Sequence, residues 1–522
     1  MRSGRATLTV MLGIAASRLF GLVREQVVAF YFGRAAAYSA FVAAYKVPNL
    51  VRVLLGEGNL SASLIPVLAR AMRSDDPEAA RLVARRVLGL LLIVVLVVTL
   101  AGMALAKPLS WVVAPGFEPE LRLLVERLIV LLFPTVALLV VGAWCMGVLH
   151  AHGRFFWPNF APVFWSVASA GALVAFVGRT ELEPVYVLAW GVVAGSLLQA
   201  LVELAATRGT LGTLLPAAGW KDPAVQRVVA LFLPMLLGTG VAQLSSLVDV
   251  QIATFLGDAS VATLAYAQRI YTLPLSLFGV AVAQVALPTL AHEAAAPAAA
   301  GRGPAPEALR DELSRSWERM SFLILPSTVG LVAFGRPAVS LLFERGRFAA
   351  ADTAAVTSVL AAYAAGLLAY GSARLLATAF YAFHDTRTPV RIGIVSLGVN
   401  VVLGVTLAWM LGTPGIALAT ALAAALGAVL LARALRRRMG SVLTREAGSA
   451  LWRMGLAAAL AGLAGVFPYL WLLGRWEVWG LGLRIGGTAA LYGAVALVYF
   501  GAAWGLGIRM PGPLRRVGRR RD

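Results

Sequence analysis

Runs of about twenty consecutive apolar residues recur along the whole chain, and nothing else in the sequence restricts its fold so sharply. At 1.5 Å per residue, such a run crosses a hydrocarbon core of about 30 Å. Water does not reach that core, so every backbone N–H and C=O needs a partner within the chain. Only helices or a closed barrel meet that demand, and the two-residue alternation of barrel strands is absent. The runs fall near 7–32, 39–69, 83–106, 121–149, 158–178, 185–207, 226–256, 260–290, 318–335, 354–382, 390–411, 414–435, 450–473 and 483–506. The chain is therefore read as an all-α polytopic membrane protein with about fourteen transmembrane helices. Its 13% of charged residues agrees, since a soluble chain carries about a quarter.

The opening "MRSGRATLTVMLGIAAS" has the look of a secretory signal, but the apolar run continues past any small-residue cleavage site, so a retained first helix is expected. The single cysteine, Cys145, excludes an internal disulfide and reads as a packed thiol in an apolar run. With the N-terminus inside, the inside segments include "RAMRSDDPEAARLVARR", "RALRRRMGSVLTREAGSALWR" and the tail "PLRRVGRRRD". Most of the 45 Lys and Arg then lie on that side, which places both termini in the cytoplasm. The net charge of +20 follows from this topology and from contact with anionic membrane lipids, and no nucleic-acid binding is expected. The low-complexity stretch "EAAAPAAAGRGPAPEALRDE" at 293–312 reads as part of a cytoplasmic linker, 291–317.

The chain also repeats itself. "LHAHGRFFWPNF" (149–160) matches "FYAFHDTRTPVR" (380–391), with Pro158 and Pro389 231 positions apart. "LVREQVVAFYFG" (22–33) matches "LVDVQIATFLGD" (247–258), with Gly33 and Gly257 224 apart and Glu25 against Asp249. Pro66 in "LIPVLA" meets Pro288 in "ALPTLA" at 222. Six spans followed by six in the same orientation form a parallel repeat about an axis along the membrane normal. The expected organisation is an N-terminal lobe, 1–222 (helices 1–6), a C-terminal lobe, 223–440 (helices 7–12), and two extra helices with a basic tail, 441–522. Two such lobes are the usual frame of an alternating-access transporter.

Charged residues interrupt several spans. Arg18, Arg24, Lys46, Arg52, Arg269 and Arg374 lie away from span ends. Counted along the helix, Arg18 is about 17 Å and Arg24 about 26 Å from the inner start; Arg52 and Arg269 are about 20 Å and 14 Å from the outer side. Glu25 shares a helix face with Arg18, seven positions away, and Arg24 is turned about 100° from it. Gly13 and Gly21 in span 1, and Pro48, Gly56 and Gly58 in span 2, mark interruptions of the kind tolerated where a helix lines a cavity. Each arginine costs about 2.5–3.5 kcal/mol in lipid. One reading neutralises them in buried pairs with Glu25, Glu57 and Asp249. In the first two spans, however, cations outnumber anions, which favours a water-filled cationic cavity. Guanidinium forks match phosphate oxygens, so an anionic, phosphorylated amphiphile is the expected cargo.

"SRLFGLVREQVVAFYFG", "FVAAYKVPNLVRVLLGEGNLSASLIPVLA" and "YAQRIYTLPLSLFGVAVAQVALPTLA" closely resemble the MurJ (MviN) lipid II flippase family of the multidrug/oligosaccharidyl-lipid/polysaccharide exporter superfamily. The resemblance runs over essentially the whole chain. It implies two six-helix lobes, helices 13 and 14 forming a groove for an undecaprenyl tail, and residence in the bacterial inner membrane. It further implies that Arg18, Arg24, Arg52 and Arg269 match the family's cavity arginines with Lys46 beside them, and that Arg24, Arg52 and Arg269 bind a diphosphate; from the residues themselves, Glu25 and Glu57 are expected to balance the cavity charge. Partners in the cell-wall synthesis or division machinery are a further expectation. Glu25 stands where the family usually has Asp, and Ser39 where it often has Asp. Asp249, Asn400 and Thr420 match the coupling sodium ligands of some members, whereas Gly404 occupies a position where a further carboxylate is expected.

Two other readings compete. A membrane enzyme acting on undecaprenyl-diphosphate lipids needs gathered acid–base groups. His150, His152, His292 and His384 lie at inside segments without ligand spacing, and no HExxH, P-loop or nucleophile elbow is present. A flippase for another lipid-linked oligosaccharide, or a drug exporter, keeps the superfamily, but such relatives generally have twelve spans and lack this arginine set. A transporter rather than an enzyme is expected, with no cofactor beyond a candidate sodium ion.

Overall fold

A computed structural model describes residues 2–56, 58–73, 77–299 and 306–508, all helix and connecting turns with no strand among them. Fourteen helical spans follow one another: α1 (Arg2–Phe32), α2 (Ala36–Ala71), α3 (Glu78–Ala104), α4 (Pro119–Ala151), α5 (Phe156–Phe176), α6 (Pro184–Leu211), α7 (Pro223–Thr254), α8 (Ser260–Ala294), α9 (Glu307–Phe343), α10 (Ala350–Ala365 and Leu367–Ala382, bent by 40°), α11 (Arg387–Leu411), α12 (Thr413–Met439), α13 (Arg445–Gly474) and α14 (Leu481–Gly505). Among the described residues, eleven of these are long and apolar enough to cross a membrane, twelve with the bent α10. The described part of α1 carries Arg18, Arg24 and Glu25, charges that take it out of that count.

Helix ends follow the local sequence. Asp222 caps α7 by accepting from the amides of Ala224 and Val225, with Pro223 at the first helical position. Thr444 caps α13 through the Ala447 amide. Span 2 breaks only at Gly56–Gly58, where Gly58 has φ +76°; Pro48 lies inside the continuous helix Ala36–Leu55. Across the break the Asn59 amide donates to the Leu54 carbonyl. The other expected interruptions, Gly13 and Gly21, lie within an unbroken α1. Glu57 lies outside the described residues.

The repeat is written in the backbone. After α4, Gly153 has φ +71° and the Arg154 amide reaches back five residues to Leu149. After α10, 231 positions on, His384 has φ +55° and the Asp385 amide reaches back to Phe380. Both are the same left-handed helix termination. Gly33 and Gly257, 224 apart, likewise share positive φ at the ends of α1 and α7.

Contacts divide the chain into two compact units: 1–263 with 343–352, and 264–342 with 353–522. α7 falls in the first of these units, where it packs on α2 and α3. The first unit's core is Leu60, Leu64, Leu68, Val87, Trp144 and their neighbours. In it, α5 and α6 approach closely at Gly191 and Gly195, where a Cβ would lie 2.8 Å from Ala172 Cβ and from the Trp165 backbone respectively. At the end of α1, Arg34 donates to Asp352 at 2.7 Å and to Thr263 at 3.2 Å, and the Arg347 amide donates to the Phe30 carbonyl.

In the second unit, Pro274 precedes a π-helical turn, Leu275–Val280, inside α8. Phe334 leaves helical geometry inside α9, and the Tyr492 hydroxyl of α14 donates to its carbonyl at 2.7 Å. Phe322 and Phe334 of α9 join α13 and α14 in one apolar cluster. The outer faces of α13 and α14 remain apolar and exposed, as at Phe467 (77%) and Trp504 (77%), which suits a lipid boundary.

Candidate substrate-binding site

In the first unit, side chains of α1, α2, α5 and α7 meet around several of the charged positions. Arg24 is buried on α1, forms an ion pair with adjacent Glu25, and lays its guanidinium 4.1 Å from the centre of the Trp165 ring on α5. Trp165 stacks in turn on Tyr45 of α2, with centroids 6.3 Å apart. Tyr45 tops a ladder of stacked rings on α2, Tyr38–Phe41–Tyr45. Next to it, half-buried Lys46 donates to the Ser246 hydroxyl of α7 at 2.6 Å. Six residues further along, half-buried Arg52 donates through Nη2 to the Asn49 side-chain oxygen at 2.8 Å. Arg18 is exposed on α1, and Asp249 is buried on α7. Ser39, where a carboxylate was expected, is buried and accepts from the Ala262 amide.

These contacts hold cations at membrane depth with their forks fixed. An aromatic face and a neutral hydroxyl or amide orient a guanidinium or ammonium without cancelling its charge. Arg24 pairs with Glu25, as the buried-pair reading has it for that arginine.

The second unit carries the remaining positions. Arg269 and Arg374 are exposed, on α8 and α10. Asn400 is buried on α11, and Thr420, on α12, donates to the Ile416 carbonyl; these two helices pack along their length. Asp249, the third proposed ligand of a coupling ion, belongs to the first unit. Among the described residues no three or more His, Cys, Asp or Glu gather as a metal cluster. The second unit also contains an apolar cavity of about 470 Å³, lined by Leu273 and Phe278 of α8, Leu323 and Gly330 of α9, and Val495 and Phe500 of α14. The lining includes no residue of α13, which packs on α14 and α9 in the neighbouring apolar cluster.

Sequence reasoning missed Trp165, Tyr45 and Ser246. Each lies in an otherwise apolar run, and helical period gives a residue's face but not the residue opposite it on a helix a hundred positions away.

The lipid II flippase MurJ family model matches residues 28–485. A probable lipid II flippase MurJ from Vibrio cholerae is 33% identical over 490 residues, covering 90% of this chain and 89% of that protein. The lipid II flippase MurJ of Burkholderia cenocepacia is 32% identical over 444 residues, covering 83% and 84%. Among solved structures, a lipid II flippase MurJ in an inward closed conformation superposes with TM-score 0.75 at 20% identity, covering 95% of this chain and 99% of that one. An inward-facing multidrug resistance MATE family transporter superposes with TM-score 0.66 at 16% identity, covering 81% and 94%.

Proposed function

The chain belongs to the lipid II flippase MurJ family, and on that premise we propose how its charges handle the lipid. The protein moves lipid II, the lipid-linked peptidoglycan precursor, from the cytoplasmic to the outer leaflet by alternating access; it is a transporter, not an enzyme. Arg24, Lys46 and Arg52 bind the diphosphate, together with exposed Arg18 and Arg269, and Glu25 and Glu57 balance the charge. The observation that carries this is the Trp165 bridge, which fixes Arg24 of α1 against Tyr45 of α2, beside Lys46. A fork held in place loses little freedom when a diphosphate arrives.

The undecaprenyl tail stays in apolar surroundings, and the cavity lined by α8, α9 and α14 is its proposed seat. Asp249 is the proposed site of a coupling cation, sodium or a proton, with Asn400 and Thr420 as the second unit's candidates for sodium. Both termini lie in the cytoplasm of a bacterium, and cell-wall synthesis or division proteins are the proposed partners.

The test is replacement of Arg24, Arg52 and Arg269 by alanine, one at a time, in a flippase-depleted strain. Each is expected to abolish complementation while the protein still inserts, and Arg→Lys to restore it in part. Full complementation by all three alanine variants overturns the assignment.

A further inference from the structure

Glu203 of α6 is a buried carboxyl that the diphosphate site does not use. It is 3% exposed, eight residues before the end of α6 and so about 12 Å along the axis from it. Oε1 accepts from the Gln199 amide at 3.2 Å, and Oε2 is buried with no hydrogen-bond partner among the described residues. Oε2 points at Gly142 of α4, where any Cβ would overlap it. A glycine in the facing helix thus opens the space that the carboxyl fills.

Among the described residues no opposite charge meets it. From α4 the buried Cys145 thiol faces Glu203 and Thr207. His150 lies two turns further along α4, and Glu120, Arg122, Glu126 and Arg127 lie toward its other end, Arg127 about 22 Å along the axis from Gly142. The α5 span, 156–176, carries no titratable group. From α2, Lys46 bonds to Ser246 and Arg52 to Asn49. On α6 itself, Tyr186 and exposed Arg208 flank the site in sequence. A carboxylate held among apolar side chains with one amide donor is strongly disfavoured, and a bound proton removes the charge. Gln199, one turn before Glu203 on α6, is itself half-buried.

We propose that Glu203 is a proton-binding site of the first unit, seated between α4 and α6. A proton from water adds to the carboxylate to give the neutral acid in this pocket. Its return to water regenerates the carboxylate when the α4–α6 contact loosens. Coupling that cycle to lipid movement rests on the flippase reading; the proton site itself does not.

Two measurements on the full-length protein test it. Difference infrared spectroscopy during pH titration should show a protonated carboxyl band that is lost in Glu203→Gln, which keeps the shape and the Gln199 contact. Gly142→Ala, which crowds Oε2, should shift that band. In vesicles with labelled lipid II, Glu203→Gln should still bind lipid II and lose the response to an imposed pH gradient. A band retained in Glu203→Gln overturns the proton site. A pH-gradient response equal to wild type in that variant overturns the coupling. If the wild-type protein moves no lipid II, the flippase reading fails and the infrared titration still decides the proton site.

Discussion

The guanidinium of Arg24 lies 4.1 Å from the centre of the Trp165 ring, and Glu25 closes on it from the adjacent position. One arginine in the membrane is thus held by an aromatic face and a carboxylate at once. A cation–π contact of this kind contributes about 0.5–2 kcal/mol, more as it is desolvated. Trp165→Leu should therefore lower lipid II transport in vesicles by about twofold to thirtyfold with little loss of expression. Trp165→Phe should recover much of it. Equal rates for Trp165→Leu and wild type show that the ring does not orient Arg24.

Gly195 gives a second way to move the same ring. A Cβ at this position would come within 2.8 Å of the Trp165 Cα and carbonyl oxygen, both backbone atoms that cannot swing aside. Gly195→Ala is expected to cost about 1–3 kcal/mol, read as a lower unfolding midpoint in detergent, and to reduce transport with it. Gly171→Ala, on α5 in open space, is the control and should be neutral.

Removing the Glu25 charge leaves buried Arg24 without its carboxylate. Breaking a buried pair from one side costs about 3–5 kcal/mol, so Glu25→Gln should lower the amount of folded protein. Glu25→Asp should be tolerated. Purified yields and thermal midpoints of the two variants decide this.

Asp385 precedes α11, outside the membrane spans. Partial desolvation opposes its charge, but the Thr388 amide and hydroxyl and the Arg438 guanidinium outweigh that and hold the carboxyl below its ordinary value of 3.8. Its stabilising contribution is therefore full above the unfolded value and is lost as pH falls through the lower folded value. Asp385→Asn should cost about 1 kcal/mol or less at pH 7. The difference from wild type should vanish as pH falls below 3.8. An unchanged difference in acid rules out the ionised pair as its source.

His384 occupies the left-handed cap that glycine fills in the first repeat. A side chain in this conformation costs about 1–2 kcal/mol relative to glycine. His384→Gly should raise the thermal midpoint slightly, offset by the entropy glycine brings to the unfolded chain.

The spans were legible in the sequence because lipid leaves the backbone no alternative to helix, and each of the fourteen runs has its helix. The break at Gly56–Gly58 was legible too, because glycine is the residue that accepts such a φ. Pro48 misled: its missing N–H and fixed φ are accommodated inside an otherwise regular helix. The arginines announced themselves by their cost in an apolar run. Trp165 could not, since a tryptophan among apolar residues reads as lipid-facing until its neighbour on α1 is known. Glu203 was a lone charge near a span end by sequence, and only the facing Gly142 reveals its pocket. The π-helical turn after Pro274 has no signature in the run that contains it.

The matched helix terminations at Gly153 and His384 bear on the ancestry of the chain. Six spans bring a polypeptide back to the side from which it started. A gene segment of that length, copied in tandem, threads its second product into the bilayer the same way up as the first, with no reversal of loop charge. Such a duplication passes through no stage of mixed topology, and a half-length ancestor could have worked as a pair of identical chains before the copies were joined. Once joined, the copies were free to diverge, and glycine now stands at the first turn and histidine at the second.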